Sequence, residues 1–120
     1  MERLWIALGS LAGLTAVAMA AVAAHGLSRL DPASVGMVRG AVQMQGWHAL
    51  ALVGCGLWAR RGGLLADLAG AAFALGLVLF CSAVYALALG GVSLGLAAPA
   101  GGITLMVGWA LLGLSALRAR

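Results

Sequence analysis

Four long apolar stretches alternate with short polar or glycine-rich segments along the chain. The stretches cover residues about 4–24, 41–59, 64–89 and 102–117. Each approaches the roughly 20 residues that an α-helix needs to cross the hydrocarbon core of a bilayer. The pattern therefore predicts an all-α fold, an integral membrane four-helix bundle in which residues 1–120 form a single transmembrane domain.

The polar segments predict where the helices begin and end. Gly26 suits the position that closes the first span, and Asp31 followed by Pro32 is typical of a helix N-terminus. A helix from Pro32 to the end of the second span is too long for one crossing. We therefore expect about residues 32–40 to lie in the membrane interface, or the helix to bend near Gly40. The segment ARRGGLL predicts a very short turn between the second and third spans.

The composition and the charge pattern place the chain in a membrane and predict its orientation. Hydrophobic residues make up 64% of the chain and charged residues 8%, which excludes an ordinary soluble globular protein. The basic residues are all arginines, and the four-span prediction puts Arg3, Arg60, Arg61, Arg118 and Arg120 on one side, against Arg29 and Arg39 on the other. The positive-inside rule then predicts that both termini are cytoplasmic. The net charge of +4 reflects this topology, and no nucleic-acid partner is expected.

Residues that carry catalysis or bind metals are sparse. Cys55 and Cys81 lie inside predicted spans, where a free cysteine packs as a small apolar side chain, and no disulfide is expected. His25 lies at the rim of the bundle and His48 about 10 Å deeper, which fits poorly with a haem held by two histidines. The chain has no paired carboxylates and no serine or cysteine with an evident base partner. We therefore expect no enzyme, no metal and no cofactor.

Polar side chains within the spans are predicted to gather in the outer half of the bundle. Gln45 and His48 are three residues apart and share one face of the second span. The rise of about 1.5 Å per residue places polar residues of the third and fourth spans at the same depth. The expected cluster, or possible ligand site, comprises His25, Gln45, His48, Ser82, Tyr85 and Trp109. It either fixes helix register or binds a ligand or proton. Gln43 is expected to point elsewhere, toward Arg39 or the lipid headgroups.

Small residues at helical spacing suggest faces for close helix contact. The first span carries Gly9, Gly13, Ala16 and Ala20, and the fourth carries Gly101, Gly108 and Ala116. Such residues let a neighbouring backbone approach closely. We expect these faces to contact another membrane protein or a second copy of the chain, with packing inside the bundle as the alternative.

Several short motifs carry a resemblance to a known family. They are AHGL at residues 24–27, HALAL at 48–52 preceded by Gln45, YALAL at 85–89 and PAGG at 99–102. In this order they resemble the family called domain of unknown function 423, small four-span proteins of bacterial inner membranes with mitochondrial relatives. The likeness covers nearly the whole chain. It implies a four-helix fold in the bacterial inner (plasma) membrane and no established activity, substrate or cofactor.

The sequence favours a non-enzymatic membrane protein that acts through contacts with lipids or proteins. It would be an accessory or interaction subunit of a larger inner-membrane complex, or a homo-oligomer. The alternative is a binder of a small molecule or lipid, or a permease, that uses an outer-half polar pocket around His48. A subunit is expected to present a flat face of small residues, whereas a binder is expected to contain a cavity that opens outward near His48.

Overall fold

A computed structural model describes all residues 1–120 and contains only helices and their connections. Helix α1 spans Glu2–His25, α2 spans Pro32–Gly90 and α3 spans Ala97–Arg118. All three are long and apolar enough to cross a membrane. The predicted all-α membrane class is confirmed.

Helix α2 doubles back on itself at Gly63. Its 59 residues would extend about 88 Å as a straight helix at about 1.5 Å per residue, but the longest dimension of the protein is 53 Å. Gly63 is the single residue inside α2 with non-helical dihedral angles, φ 58° and ψ −143°, a combination that glycine adopts without a steric penalty. We call residues 32–62 the first arm of α2 and residues 64–90 the second arm.

The structure therefore has three helices where the sequence predicted four. The predicted turn ARRGGLL keeps its helical hydrogen bonds on both sides of Gly63, so no separate loop divides the second and third predicted spans. A hydrogen bond of 2.8 Å from Tyr85 Oη to Gln45 Oε1 joins the two arms. The Cys81 thiol lies 3.7 Å from the Ala41 carbonyl oxygen and adds a second link.

The start of α2 agrees with the helix predicted from Pro32, and the backbone shows no break near Gly40. Asp31 stabilises this start, because its carboxylate accepts hydrogen bonds from the Ser34 backbone at 3.3 Å and the Ser34 hydroxyl at 2.6 Å. The hydroxyl bond, the larger cause, lowers the pKa of the Asp31 carboxyl below its ordinary value.

Helices α1 and α3 each pack against α2 and not against each other. The core consequently follows the two arms of α2, with buried side chains contributed by all three helices. Its main members are Trp5, Ala51, Leu52, Cys55, Ala69, Phe73, Leu77, Cys81 and Leu105. Cys55 and Cys81 are both buried as free thiols.

Glycines mark the closest approaches to α2. A Cβ atom added to Gly9 would lie 2.7 Å from the Ala49 carbonyl oxygen, and one added to Gly101 would lie 2.5 Å from the Phe80 backbone nitrogen. A Cβ on Gly108 would meet the Phe73 ring at 2.7 Å. The glycines predicted to contact another protein are therefore used inside the molecule, where they let α1 and α3 lie close to α2.

Two contacts show which segments share an end of the molecule. The Arg60 guanidinium forms an ion pair of 2.7 Å with Glu2, and the Trp58 indole donates a hydrogen bond of 3.0 Å to the Ser115 hydroxyl. The N-terminus, the bend and the end of α3 therefore lie together, at what we call the Gly63 end. The loops 26–31 and 91–96 lie at the opposite, two-loop end.

Candidate functional site

A groove of about 410 Å³ runs along α1 where this helix meets both arms of α2. Its lining residues are Leu8, Leu11, Ala12, Thr15 and Met19 of α1, Gln45 and Leu52 of the first arm, and Ala74, Leu77, Val78, Cys81, Ser82 and Tyr85 of the second arm. The polar side chains lie in the half nearer the two-loop end. The half nearer the Gly63 end is entirely apolar. We call this cavity the α1 groove.

Gln45 ties together all the elements that form the α1 groove. Its side-chain nitrogen donates hydrogen bonds to the Ala12 carbonyl oxygen at 3.0 Å and to the Thr15 hydroxyl at 2.6 Å. Its side-chain oxygen accepts the 2.8 Å bond from Tyr85. Both amide hydrogens are used, so this buried side chain is satisfied without water. The arrangement stabilises the contact of α1 with both arms.

Ser82 is the polar residue of the α1 groove that remains free to bind something else. It is exposed, and none of the hydrogen bonds of the protein uses its hydroxyl. Tyr85, one helical turn away, donates its proton to Gln45 and keeps its oxygen lone pairs as acceptors. The polar half of the groove, nearer the two-loop end, can therefore donate hydrogen bonds to a ligand and accept them from it. The apolar half, nearer the Gly63 end, can pack against a hydrocarbon chain.

His48 lies outside the α1 groove and links the first arm to α3. It is 3% exposed, and its Nδ1 atom lies 2.6 Å from the Met44 carbonyl oxygen. The Trp109 indole donates a hydrogen bond of 3.0 Å to the His48 Nε2 atom. An indole N–H only donates, so Nε2 must be an acceptor and the ring proton must be on Nδ1. These two hydrogen bonds fix the orientation of the His48 ring, whose centroid lies 5.6 Å from the centroid of the Phe73 ring.

The structure divides the predicted cluster into separate groups. Gln45, Ser82 and Tyr85 come together in the α1 groove, whereas His48 pairs with Trp109. His25 ends α1 as an exposed side chain with no hydrogen bond to either group. His48 does not line the α1 groove, which lies on the Gln45 side of the first arm.

Thr15 also belongs to the site, although the predicted cluster does not include it. Its hydroxyl accepts from Gln45 and donates to the carbonyl oxygens of Leu11 or Ala12, at 3.0 and 3.1 Å. It is a polar residue near the middle of an otherwise apolar span. That signal indicates a residue with a partner on another helix.

A second polar layer lies at the Gly63 end, whereas the sequence predicted that the polar side chains gather in the outer half of the bundle. The Trp5 indole donates a hydrogen bond of 2.8 Å to the Asp67 carboxylate. At the same end Arg60 forms its ion pair with Glu2 and not with Asp67. Two tryptophans, Trp5 and Trp58, thus tie α1 and α3 to α2 at this end.

Comparisons with known proteins show one family. The family model described as "Protein of unknown function (DUF423)" matches residues 19–102. The chain is 31% identical to "UPF0382 inner membrane protein YgdD" of Escherichia coli strain K12, over 98% of this chain and 92% of that protein. It is 31% identical to a "UPF0382 membrane protein" of Haemophilus influenzae, over 91% and 90% of the two chains. It is 32% identical to "UPF0382 membrane protein SH2409" of Staphylococcus haemolyticus, over 97% of each. No solved structure matches.

Proposed function

Since the chain belongs to the DUF423 family and is a multi-pass protein of the bacterial inner membrane, we propose that it binds an amphiphilic lipid in the α1 groove. One hydrocarbon chain of the lipid and the polar group next to it occupy the groove. The protein acts without catalysis: it holds the lipid and catalyses no reaction on it. The observation that carries the proposal is the division of the groove into a polar half with a free Ser82 hydroxyl and an apolar half.

The free-energy cost of leaving the Ser82 hydroxyl without a hydrogen bond supports a lipid as the ligand. A hydroxyl in an apolar environment without a hydrogen bond costs about 1–3 kcal/mol in protein mutational data. A carbonyl or hydroxyl oxygen of a lipid removes that cost, and its hydrocarbon chain covers the surface between Leu8 and Val78. Membrane lipid is the solvent of this face, so a groove of this shape is filled from the bilayer.

In the proposed topology the chain crosses the membrane four times and both termini are cytoplasmic. Each arm of α2 is long enough to cross a bilayer by itself, and the arms lie side by side. Five of the seven arginines belong to segments at the Gly63 end, which the positive-inside rule assigns to the cytoplasm. The polar half of the α1 groove then faces the outer leaflet.

Cysteine labelling tests this orientation. We expect a membrane-impermeant maleimide added to spheroplasts to label Ser28→Cys and Ser93→Cys, which lie in the exposed loops of the two-loop end. Ala119→Cys at the other end should react only after lysis. Native Cys55 and Cys81 are buried and give little background. Labelling in the reverse order would contradict the orientation, and labelling of the two loops from different sides would contradict four crossings.

Filling the α1 groove tests lipid binding. Val78→Trp places a large ring in the groove, and Val107→Trp is the matched control on exposed α3 surface outside the groove. Native mass spectrometry of protein released from mild detergent should show bound lipid on the wild type and the control, and at least fivefold less on Val78→Trp. Ser82→Ala should weaken binding about fivefold, as expected for one hydrogen bond.

The same spectra decide between lipid binding and association. The second candidate is self-association or a role as an accessory subunit, favoured by Gly36 and Gly40, which are exposed on the first arm with nothing within 4 Å of an added Cβ. Equal lipid on all variants would contradict the groove. A dimer that Gly36→Leu dissociates, with no bound lipid, would favour association in its place.

A further inference from the structure

A second groove, of about 290 Å³, lies at the two-loop end and shares no residue with the α1 groove. It forms where the last turns of α1 meet the first arm of α2. Three alanines of α1 and Val42 form its apolar walls, and two long polar side chains, Arg39 and Gln43, complete it. Arg39 and Gln43 are one helical turn apart, so both side chains project from the same face of the first arm.

Arg39 has no partner within the protein. The single ion pair joins Glu2 to Arg60 at the opposite end. The one acidic residue near the start of α2 is Asp31, whose carboxylate is occupied by Ser34. Gln43 also forms no hydrogen bond and is exposed. The guanidinium and the amide thus present unused N–H donors at one groove.

The position of Arg39 near the start of the first arm places its charge within reach of a lipid headgroup. Arg39 lies seven residues into α2, about 10 Å from the start of the helix. A charged group near the hydrocarbon core is retained where it can reach the headgroups or pair with an opposite charge. An anionic oxygen between Arg39 and Gln43 meets this requirement, because guanidinium binds phosphate oxygens in a bidentate geometry.

We propose that this second groove binds an anionic phospholipid, with its phosphate on Arg39 and Gln43 and part of an acyl chain against the alanines of α1. A free phosphate ion would use the two donors and leave the apolar walls uncovered, whereas a lipid uses both. The small side chains of Ala20, Ala23 and Ala24 leave room for an acyl chain to lie between the helices. The site is independent of the α1 groove and does not rest on lipid binding there.

Binding of phosphatidylglycerol to the full chain in detergent, compared with zwitterionic phosphatidylcholine, tests the proposal. The ratio of the two affinities isolates the headgroup. Arg39→Gln should lower this ratio about tenfold, because a charge-assisted hydrogen bond is lost. Gln43→Leu should lower it about threefold. Arg29→Gln is the matched control, since Arg29 lies at the same end but lines neither groove, and it should change the ratio less than twofold.

Each other outcome overturns the proposal. Equal loss in Arg29→Gln and Arg39→Gln would show attraction by surface charge only. An unchanged ratio in Arg39→Gln would show that the guanidinium does not bind the headgroup. Competition by millimolar inorganic phosphate that removes phosphatidylglycerol and depends on Arg39 would show an ion site with no lipid specificity. Because Arg39 contacts no other side chain by hydrogen bond or ion pair, Arg39→Gln is expected to fold, which gel filtration and circular dichroism verify.

Discussion

Gly101→Ala is expected to destabilise the protein by about 1–3 kcal/mol, the range for overpacking of a well-packed core. A Cβ atom at this position would lie 2.5 Å from the Phe80 backbone nitrogen, 2.9 Å from the Phe80 Cα atom and 2.9 Å from the Gly76 carbonyl oxygen. All three are backbone atoms, so no side-chain rotation relieves the clash. Helix α3 must move away from the second arm of α2.

Gly102→Ala is the matched control, one residue further along the same helix. Nothing lies within 4 Å of a Cβ at Gly102, and alanine gains up to about 1 kcal/mol over glycine in a helix. Thermal unfolding in detergent should therefore show a clear loss for Gly101→Ala and no loss or a gain for Gly102→Ala. Equal melting temperatures for the two variants would contradict the close contact of α3 with α2.

Gln45→Leu is expected to cost about 2 kcal/mol of stability. It removes three hydrogen bonds, to Ala12, Thr15 and Tyr85, and a hydrogen bond between helices in a membrane averages about 0.6 kcal/mol. The substitution also leaves the Tyr85 hydroxyl without its acceptor. Tyr85→Phe removes one of the three bonds and should cost about a third as much.

Gln43→Leu is the control for Gln45→Leu. It removes the same type of side chain from the same arm but breaks no hydrogen bond. Gln43 lies two residues away on the same arm, is exposed and forms no hydrogen bond, so its replacement should leave stability unchanged or raise it. Reversible unfolding in mixed micelles measures all three variants. If Gln43→Leu and Gln45→Leu were equally destabilised, the network around Gln45 would not stabilise the fold.

The sequence by itself determined the membrane class, the approximate apolar segments and the axial position of the polar residues. Long apolar runs leave helices as the structure that satisfies the backbone in lipid, and the helix start at Asp31 follows from local chemistry. Gly26 ends α1 as predicted, but with φ −113° it does not adopt the left-handed conformation expected of a glycine at that position. Depth follows from the rise per residue, because it depends only on counting along the chain. Gln45 and Tyr85 were accordingly predicted at one level, where the structure joins them.

Only the tertiary structure decided which way each side chain faces. In a soluble helix an apolar stripe marks the buried face, but here nearly every face is apolar, so the rotation of a helix about its axis leaves little trace in the sequence. The pairing of His48 with Trp109 and the inward position of Gly101 depend on that rotation. The reversal of the chain at Gly63 was also decided by the tertiary structure. It takes place at one residue, through the φ and ψ angles of Gly63, and the residues on both sides remain helical.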